Sequence, residues 1–516
     1  MESRLPVSAR GFLWELTCLR AGSSPAGVCQ LTAACRGTHL AHCAPQAVLT
    51  WYFECPLSTE PAFASVFSSC ARRLGDLGTA PLANGQGLKS TCSKLLGIVL
   101  MLGVAVGCDG RSTKAKPAST IPTEFAVGRS AQGSGAHLPV PLPEQRRQAQ
   151  ANLGFAVELL RNTAEGKNAV VSGFSVSLEL AMLSAGAQGD TATGLADAAQ
   201  FVLPQSQIHD SFRHLSQVVQ RTLRGNLSLA NAIWIQQGLT PKHAFLDVLR
   251  TQYGAGVFPL DFEHDPGGAV ATINGWTSRQ TRGLIPMILQ EGALKPETKI
   301  ALTNALYINA AWSKPFDATR SMPLKFWLSD DASKLTPFMI DNEREVRALA
   351  SPGLDILFLS TAGGQLETIF MVPKLESLLS FEKSLSAARI TELLKQAVPM
   401  RALVELPRYT VESSTSLKAF LRERGASKMF DDRANFKGIT DETDLCVDDI
   451  FHRALVRVRE SGIEAAAATA APMIIPISGG RPPPTVMRIN RPFFFMIWEP
   501  NSETALFVGR VVDPSN

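Results

Sequence analysis

Glu460-Ser461-Gly462-Ile463-Glu464-Ala465-Ala466-Ala467-Ala468-Thr469-Ala470-Ala471 is followed by Pro472-Met473-Ile474-Ile475-Pro476-Ile477 and a Gly/Pro-rich run to Pro484. Side chains of a strand alternate between two faces, so an extended reading groups Ile463, Ala465, Ala467, Thr469, Ala471, Met473 and Ile475 on one side. That face is small at its start and uncharged throughout. It can pack against almost any apolar sheet interior, yet it lacks the bulk to build a core alone. Alanine is also the best helix former, and an Ala-rich helix or linker has the same composition. The flanking chain decides between the two.

On either side of this stretch the sequence reads as β-structure. Ala454 to Val458, Phe493 to Trp498 and Ala505 to Val511 are short apolar runs, as are Leu403 to Pro407, Leu227 to Ile235 and Thr298 to Ile308 further upstream. Helical spacing of apolar residues marks Gln148 to Arg161 and Leu178 to Ala187, and a helix including Ile273 and Trp276 ends at Gly283. Helices come mainly first and strands mainly last, which predicts an α+β domain with large, mostly antiparallel sheets.

The whole chain of 516 residues, 45% hydrophobic and 19% charged, can bury a large core. Its 50 basic and 46 acidic residues leave a net charge of +4, which implies no nucleic-acid partner. Eight of the nine cysteines lie at or before Cys108, so the body of the chain has no internal disulfide framework and no cysteine-based zinc site. Cys446, in Leu445-Cys446-Val447, is expected to be a buried small hydrophobe.

Residues 1–88 show no sustained helical or strand period and receive no fold. A basic start at Lys89 to Lys94, an apolar run from Leu95 to Gly107 and small residues before Cys108 form a secretory signal over 89–108. Ala105-Val106-Gly107-Cys108 resembles the lipobox of bacterial lipoproteins, with Ala105 where Leu is usual; the resemblance implies lipidation of Cys108 and a membrane anchor. No Met lies between Met1 and Met101, and residues 1–88 are read as an over-extended translation. Residues 109–143 form a Gly/Ser/Pro/Thr-rich flexible linker, and 144–516 a single large domain.

Enzyme signatures are absent: there is no Gly-x-Ser-x-Gly elbow, phosphate loop, Cys-x-x-Cys or His-Glu-x-x-His. Ser172 and His452 could be taken for a nucleophile and its base. The apolar surroundings of His452 (Val447, Ile450, Phe451, Leu455) instead suit a hydrogen-bonded core histidine. No metal or other cofactor is expected.

Asn168 to Ser175 with Ala181 to Ser184, Asn304-Ala-Leu-Tyr307 with Trp312, Pro315 and Phe316, His452-Arg-Ala before Glu460 to Thr469, Arg491-Pro-Phe-Phe-Phe495, and Leu506 to Pro514 occur in this order. Together they resemble the serpin family over roughly residues 145 to 514. The resemblance implies three β-sheets with about nine helices and an exposed reactive-centre loop. It further implies a monomer that inhibits a serine protease by suicide: the loop is cleaved, forms an acyl-enzyme and inserts as a new strand into the central sheet.

In that reading Glu460, Gly462, Ile463, Glu464, Ala465, Ala466, Ala467, Ala468 and Thr469 form the hinge. Ser172, Ser175, Asn304 and His452 form a buried shutter, and Trp312 caps the breach where the loop enters. The family's spacing places the scissile bond at Pro476-Ile477, with Ile475-Pro476 or Ile477-Ser478 as alternatives. The aliphatic run Met473 to Ile477 suits an elastase-, chymotrypsin- or subtilisin-like protease. Pro472, which lacks a ladder N–H, falls within the inserting segment, and Gly173 stands where the family usually has Pro. These departures leave a second reading, a non-inhibitory serpin acting as a binding or scaffold protein.

Overall fold

The structure, a computed structural model, describes residues 143–223, 227–463 and 482–515, without the side chains of 227–230 and 304–305, and the backbone of four strands nearer the N-terminus. The signal-like run with Cys108 and the loop 464–481, which carries Glu464 to Thr469, Ile475, Pro476 and Ile477, lie outside the described residues.

The chain divides into two compact units, residues 1–114 and 115–516. In the first, Ser3–Ala9, Phe12–Leu19, Ala26–Cys35 and Leu49–Pro56 pair in sequence order as an antiparallel sheet. The sequence there has no sustained alternation to announce these strands.

In the second unit the described residues carry nine α-helices and three sheets, of nine, four and three strands. The α+β expectation holds, and the strands fall where the apolar runs are. The nine-stranded sheet turns on Ser333–Ala350, whose register shifts between Asp341 and Arg344. A shift of this kind bends a strand, and this one strand pairs with Met322–Trp327, Leu354–Ser360 and Val398–Pro407.

The other two sheets are halves of one layer. Gly256–Leu260, Leu227–Gln236 and Ile300–Ile308 form the three-stranded half. Tyr409–Ser416 and Phe451–Arg459 belong to the four-stranded half, completed by two short strands, Gly462–Ile463 and Ala310–Ala311. Ile300–Ile308 and Phe451–Arg459 approach within 8 Å of each other but share no ladder. The layer therefore has a seam along its middle.

Helix Gly173–Ser184 lies beneath this layer with every residue buried. It begins earlier than its apolar spacing predicts, because the Ser172 hydroxyl accepts from the backbone N–H of Ser175 and caps the first turn. Gly173 has a packing role: a Cβ there would sit 2.3 Å from the Cβ of Ala156, so only glycine lets helix Pro143–Arg161 approach this closely. On the outer side, Trp234, Phe258 and Trp276 form an aromatic cluster under helix Pro266–Gln280.

Cys446 corrects an expectation. It is exposed, whereas Leu445 and Val447 on either side are buried: burial alternates along the segment and leaves the middle side chain outward.

A buried ion pair ties the ends of this unit together. Arg510 in strand Thr504–Val511 meets Glu382 at 2.8 Å and donates to carbonyls of Leu160, Lys167 and Ala164. Removing one member leaves the other charged and buried. Glu382→Ala should cost about 3 to 5 kcal/mol of stability, read as a lower midpoint in urea denaturation.

Candidate functional site

The seam closes only where the short strands meet. Ile463 is paired with Val458 on one side and Ala310 on the other, and Gly462 with Arg459 and Ala311. Ile463 is 1% exposed and packs in the cluster containing Val458, Ala310 and Trp312. The inward position assigned to Ile463 from alternation is thus already occupied in this state. Gly462 has φ +152°, and a Cβ at that position would come within 2.1 Å of the Ala310 carbonyl oxygen. The close approach of two backbones requires glycine here.

Trp312 stands over this junction, 1% exposed. Its backbone N–H donates to the Ser461 carbonyl and its indole Nε1–H to the Arg459 carbonyl, both at 2.9 Å. The backbone N–H of Phe316 donates to the Glu460 carbonyl at 2.9 Å. The Glu460 side chain accepts from the Ser321 hydroxyl at 2.5 Å and forms an ion pair with Arg408. Burial alone would raise the Glu460 pKa; the bonds from Ser321 and Arg408 outweigh it and hold the carboxyl below its usual range. Arg344 is buried nearby, its guanidinium 4.2 Å from the centre of the Phe316 ring. Sequence reading did not find Arg408, Ser321 or Arg344, because no local pattern links residues so far apart in the chain.

Lower down the seam, His452 is 3% exposed on the inward face of Phe451–Arg459. Its Nε2 accepts from the backbone N–H of Ser172 at 3.0 Å. That bond fixes the tautomer, with the proton on Nδ1; Nδ1 has no partner among the described residues. The bond joins strand to helix and leaves His452 no access to a substrate, so Ser172 and His452 act as packing polar groups rather than as nucleophile and base. Asn304 stands in Ile300–Ile308 opposite Asn231, and its side chain is outside the described set. Ser175 is buried one turn into the helix, its backbone N–H held by Ser172. The structure thus brings Ser172, Ser175 and His452 together under the seam and Trp312, Gly462, Ile463 and Glu460 at its closed end.

Burial pushes the His452 pKa down from 6.5 to about 4. The folded state keeps the ring neutral while the unfolded chain protonates below 6.5, so stability present above 6.5 is lost as pH falls toward 4. Over that window the loss should approach about 3 kcal/mol. The stability difference between wild type and His452→Gln should therefore shift by this amount between pH 7 and pH 4, measured as paired denaturation midpoints at each pH.

Comparison with known proteins gives a consistent picture. A family model described as serpin (serine protease inhibitor) matches residues 150–514. Serpin A3-1 of Bos taurus is 31% identical over 376 residues, covering 71% of this chain and 89% of that protein. Antithrombin-III of Mus musculus is 29% identical over 458 residues, covering 84% of this chain and 98% of that protein. Among solved structures, a thyroxine-binding globulin in complex with thyroxine aligns with TM-score 0.64 at 26% identity, covering 71% of this chain and 99% of that one. Tengpin, a thermophilic serpin in its native state, aligns with TM-score 0.66 at 21% identity, covering 76% and 100%.

Proposed function

The chain belongs to the serpin family, and from that premise we propose that it inhibits a serine endopeptidase by loop cleavage and insertion. The observation that supports this reading is Ile463, paired with Val458 on one side and Ala310 on the other at one end of two long strands that share no ladder. The protease serine attacks the bait carbonyl, an ester forms with the hinge side of the loop, and the new amine stays with the segment leading to Thr485–Arg488. Insertion then draws the ester-bound protease along the sheet.

Continued downward, the register begun at Val458/Ile463 would set Ala465 beside Val456, Ala467 beside Ala454 and Thr469 beside His452. These strand residues face the core and alternate with partly exposed ones, so only small inward residues slide past quickly. Glu464 would fall opposite Arg457, a favourable cross-strand charge pair. About ten new ladder bonds at roughly 1 kcal/mol each would supply on the order of 10 kcal/mol.

The same register eases the objection raised by Pro472. The Ser461 carbonyl faces Trp312, so alternate residues beginning with Gly462 face Phe451–Arg459. Pro472 belongs to that second set and would lie opposite Asp449, ahead of the strand's first residue, Phe451. Its missing N–H would then forfeit no ladder bond.

The bait bond is taken as Pro476-Ile477, with Ile475-Pro476 or Ile477-Ser478 as alternatives, and the target as elastase-, chymotrypsin- or subtilisin-like. We place the protein, as a monomer, on the bacterial cell envelope through lipidated Cys108, with export to the extracellular space as the alternative. Among the described residues no helix is long and apolar enough to cross a membrane. Maturation at Cys108 would remove everything before it, and N-terminal sequencing of the native product tests this.

Mixed with each of the three proteases, the chain should form an SDS-resistant complex and leave a cleaved form of higher thermal stability. Digestion by all three without such a complex would overturn the proposal. Ile463→Glu places a charge at a buried position, which costs several kcal/mol, and should convert inhibitor into substrate: cleavage continues while complex formation falls at least tenfold. The likeness to thyroxine-binding globulin favours a second reading, a non-inhibitory binding serpin, whose mark is loop cleavage without a gain in stability.

A further inference from the structure

Helix Gly173–Ser184 buries one acid. Glu179 is 1% exposed, and neither of its carboxyl oxygens has a hydrogen-bond partner among the described residues. Ser172, Ser175 and Glu179 are separated by three and four residues, which places them on one helix face. By that face Ser172 reaches His452. Val176, Met182 and Leu183, the neighbours of Glu179 along the same side, pack in one cluster with Ile233, Ile300 and Leu302 of the three-stranded half-sheet. The carboxyl therefore lies in an apolar layer between the helix and the underside of the divided sheet.

The elements packed on this helix are Pro143–Arg161, Gly189–Ala198, Gln205–Thr222, Ile300–Ile308 and Thr504–Val511. Their charged groups are engaged elsewhere or face water. Arg146 pairs with Glu503, Glu158 with Arg424, Asp190 with Lys428, Arg213 with Asp210 and Arg510 with Glu382. Arg161 donates to the carbonyls of Glu382 and Leu385, and His209 meets Tyr253. Glu144, Arg147 and Asp197 are exposed, while His214, Arg221 and Tyr307 are partly so. None of them acts on Glu179, whose pKa is moved by burial alone, from 4.5 up to about 8.

We propose that Glu179 is a proton switch on the opening of the central sheet: protonated, it lets the helix seat beneath the seam; ionised, it drives that face toward water and favours parting of Ile300–Ile308 from Phe451–Arg459. The inference rests on the insertion reading only for its consequence. An opened form that hydrates the carboxyl returns it to its ordinary value of 4.5, against about 8 in the closed form. The closed form then holds one more proton across that window, so its advantage falls up to tenfold per pH unit as pH rises, and levels off above. Below 6.5 the protonation of His452 acts in the opposite direction. Between 6.5 and about 8 Glu179 acts alone.

The test uses the full chain and Glu179→Gln, a neutral isostere, followed without protease as the rate of conversion to the loop-inserted form. The wild-type rate should rise toward tenfold per pH unit between 6.5 and about 8 and then flatten, while E179Q stays within about twofold. Equal slopes in the two proteins overturn the proposal. Infrared spectra give a second readout: a protonated carboxylic-acid band at pH 6.5 that fades with a midpoint near 8 and is missing from E179Q. Should E179Q fail to fold, Glu179→Ala takes its place in the difference spectrum, and absence of the band from the wild type at pH 6.5 overturns the proposal. Neither readout involves a protease, so failure here is distinct from failure to inhibit.

Discussion

The seam between Ile300–Ile308 and Phe451–Arg459 is the constraint on which the rest of the structure depends. Strand edges carry rows of N–H and C=O groups that bond to any chain able to lie against them, and here two such edges face each other with no ladder between them. A segment of the same chain begins beside them, joined by the pairs at Gly462 and Ile463. The layer thus carries two facing strand edges that the short strands join at one end.

What holds the two halves in place is a set of side-chain bonds at two levels. At the closed end Trp312, Phe316, Ser321 and Arg408 hold the backbone and side chain of Glu460 and its neighbours. Beneath the open part, the bond from Ser172 to His452 ties a strand to the helix under it. Each anchor must yield before strands can separate, so together they set a kinetic barrier.

The layer under the seam is also where buried ionisable groups collect. His452 is kept neutral by losing its proton and Glu179 by keeping one, each for the same reason, the cost of charge in an apolar medium. Their proton dependences oppose each other below pH 6.5 and diverge above it. On the proposal above, Glu179 alone would bias the seam from pH 4.5 to about 8; with His452 opposing it below 6.5, the net bias is confined to 6.5 to about 8.

Fold class was legible in the chain alone, because strand alternation and helical spacing are local properties that survive in a linear reading. The order of short motifs from Asn168 to Pro514 made the family legible too. Tertiary structure alone decided that Ile463 is already seated, since burial depends on which strands happen to flank it. It also decided that Arg408 and Ser321 hold Glu460, that Cys446 faces outward and that Glu179 has no partner. These are facts of contact between residues far apart in the chain, and no local periodicity encodes the distance between them.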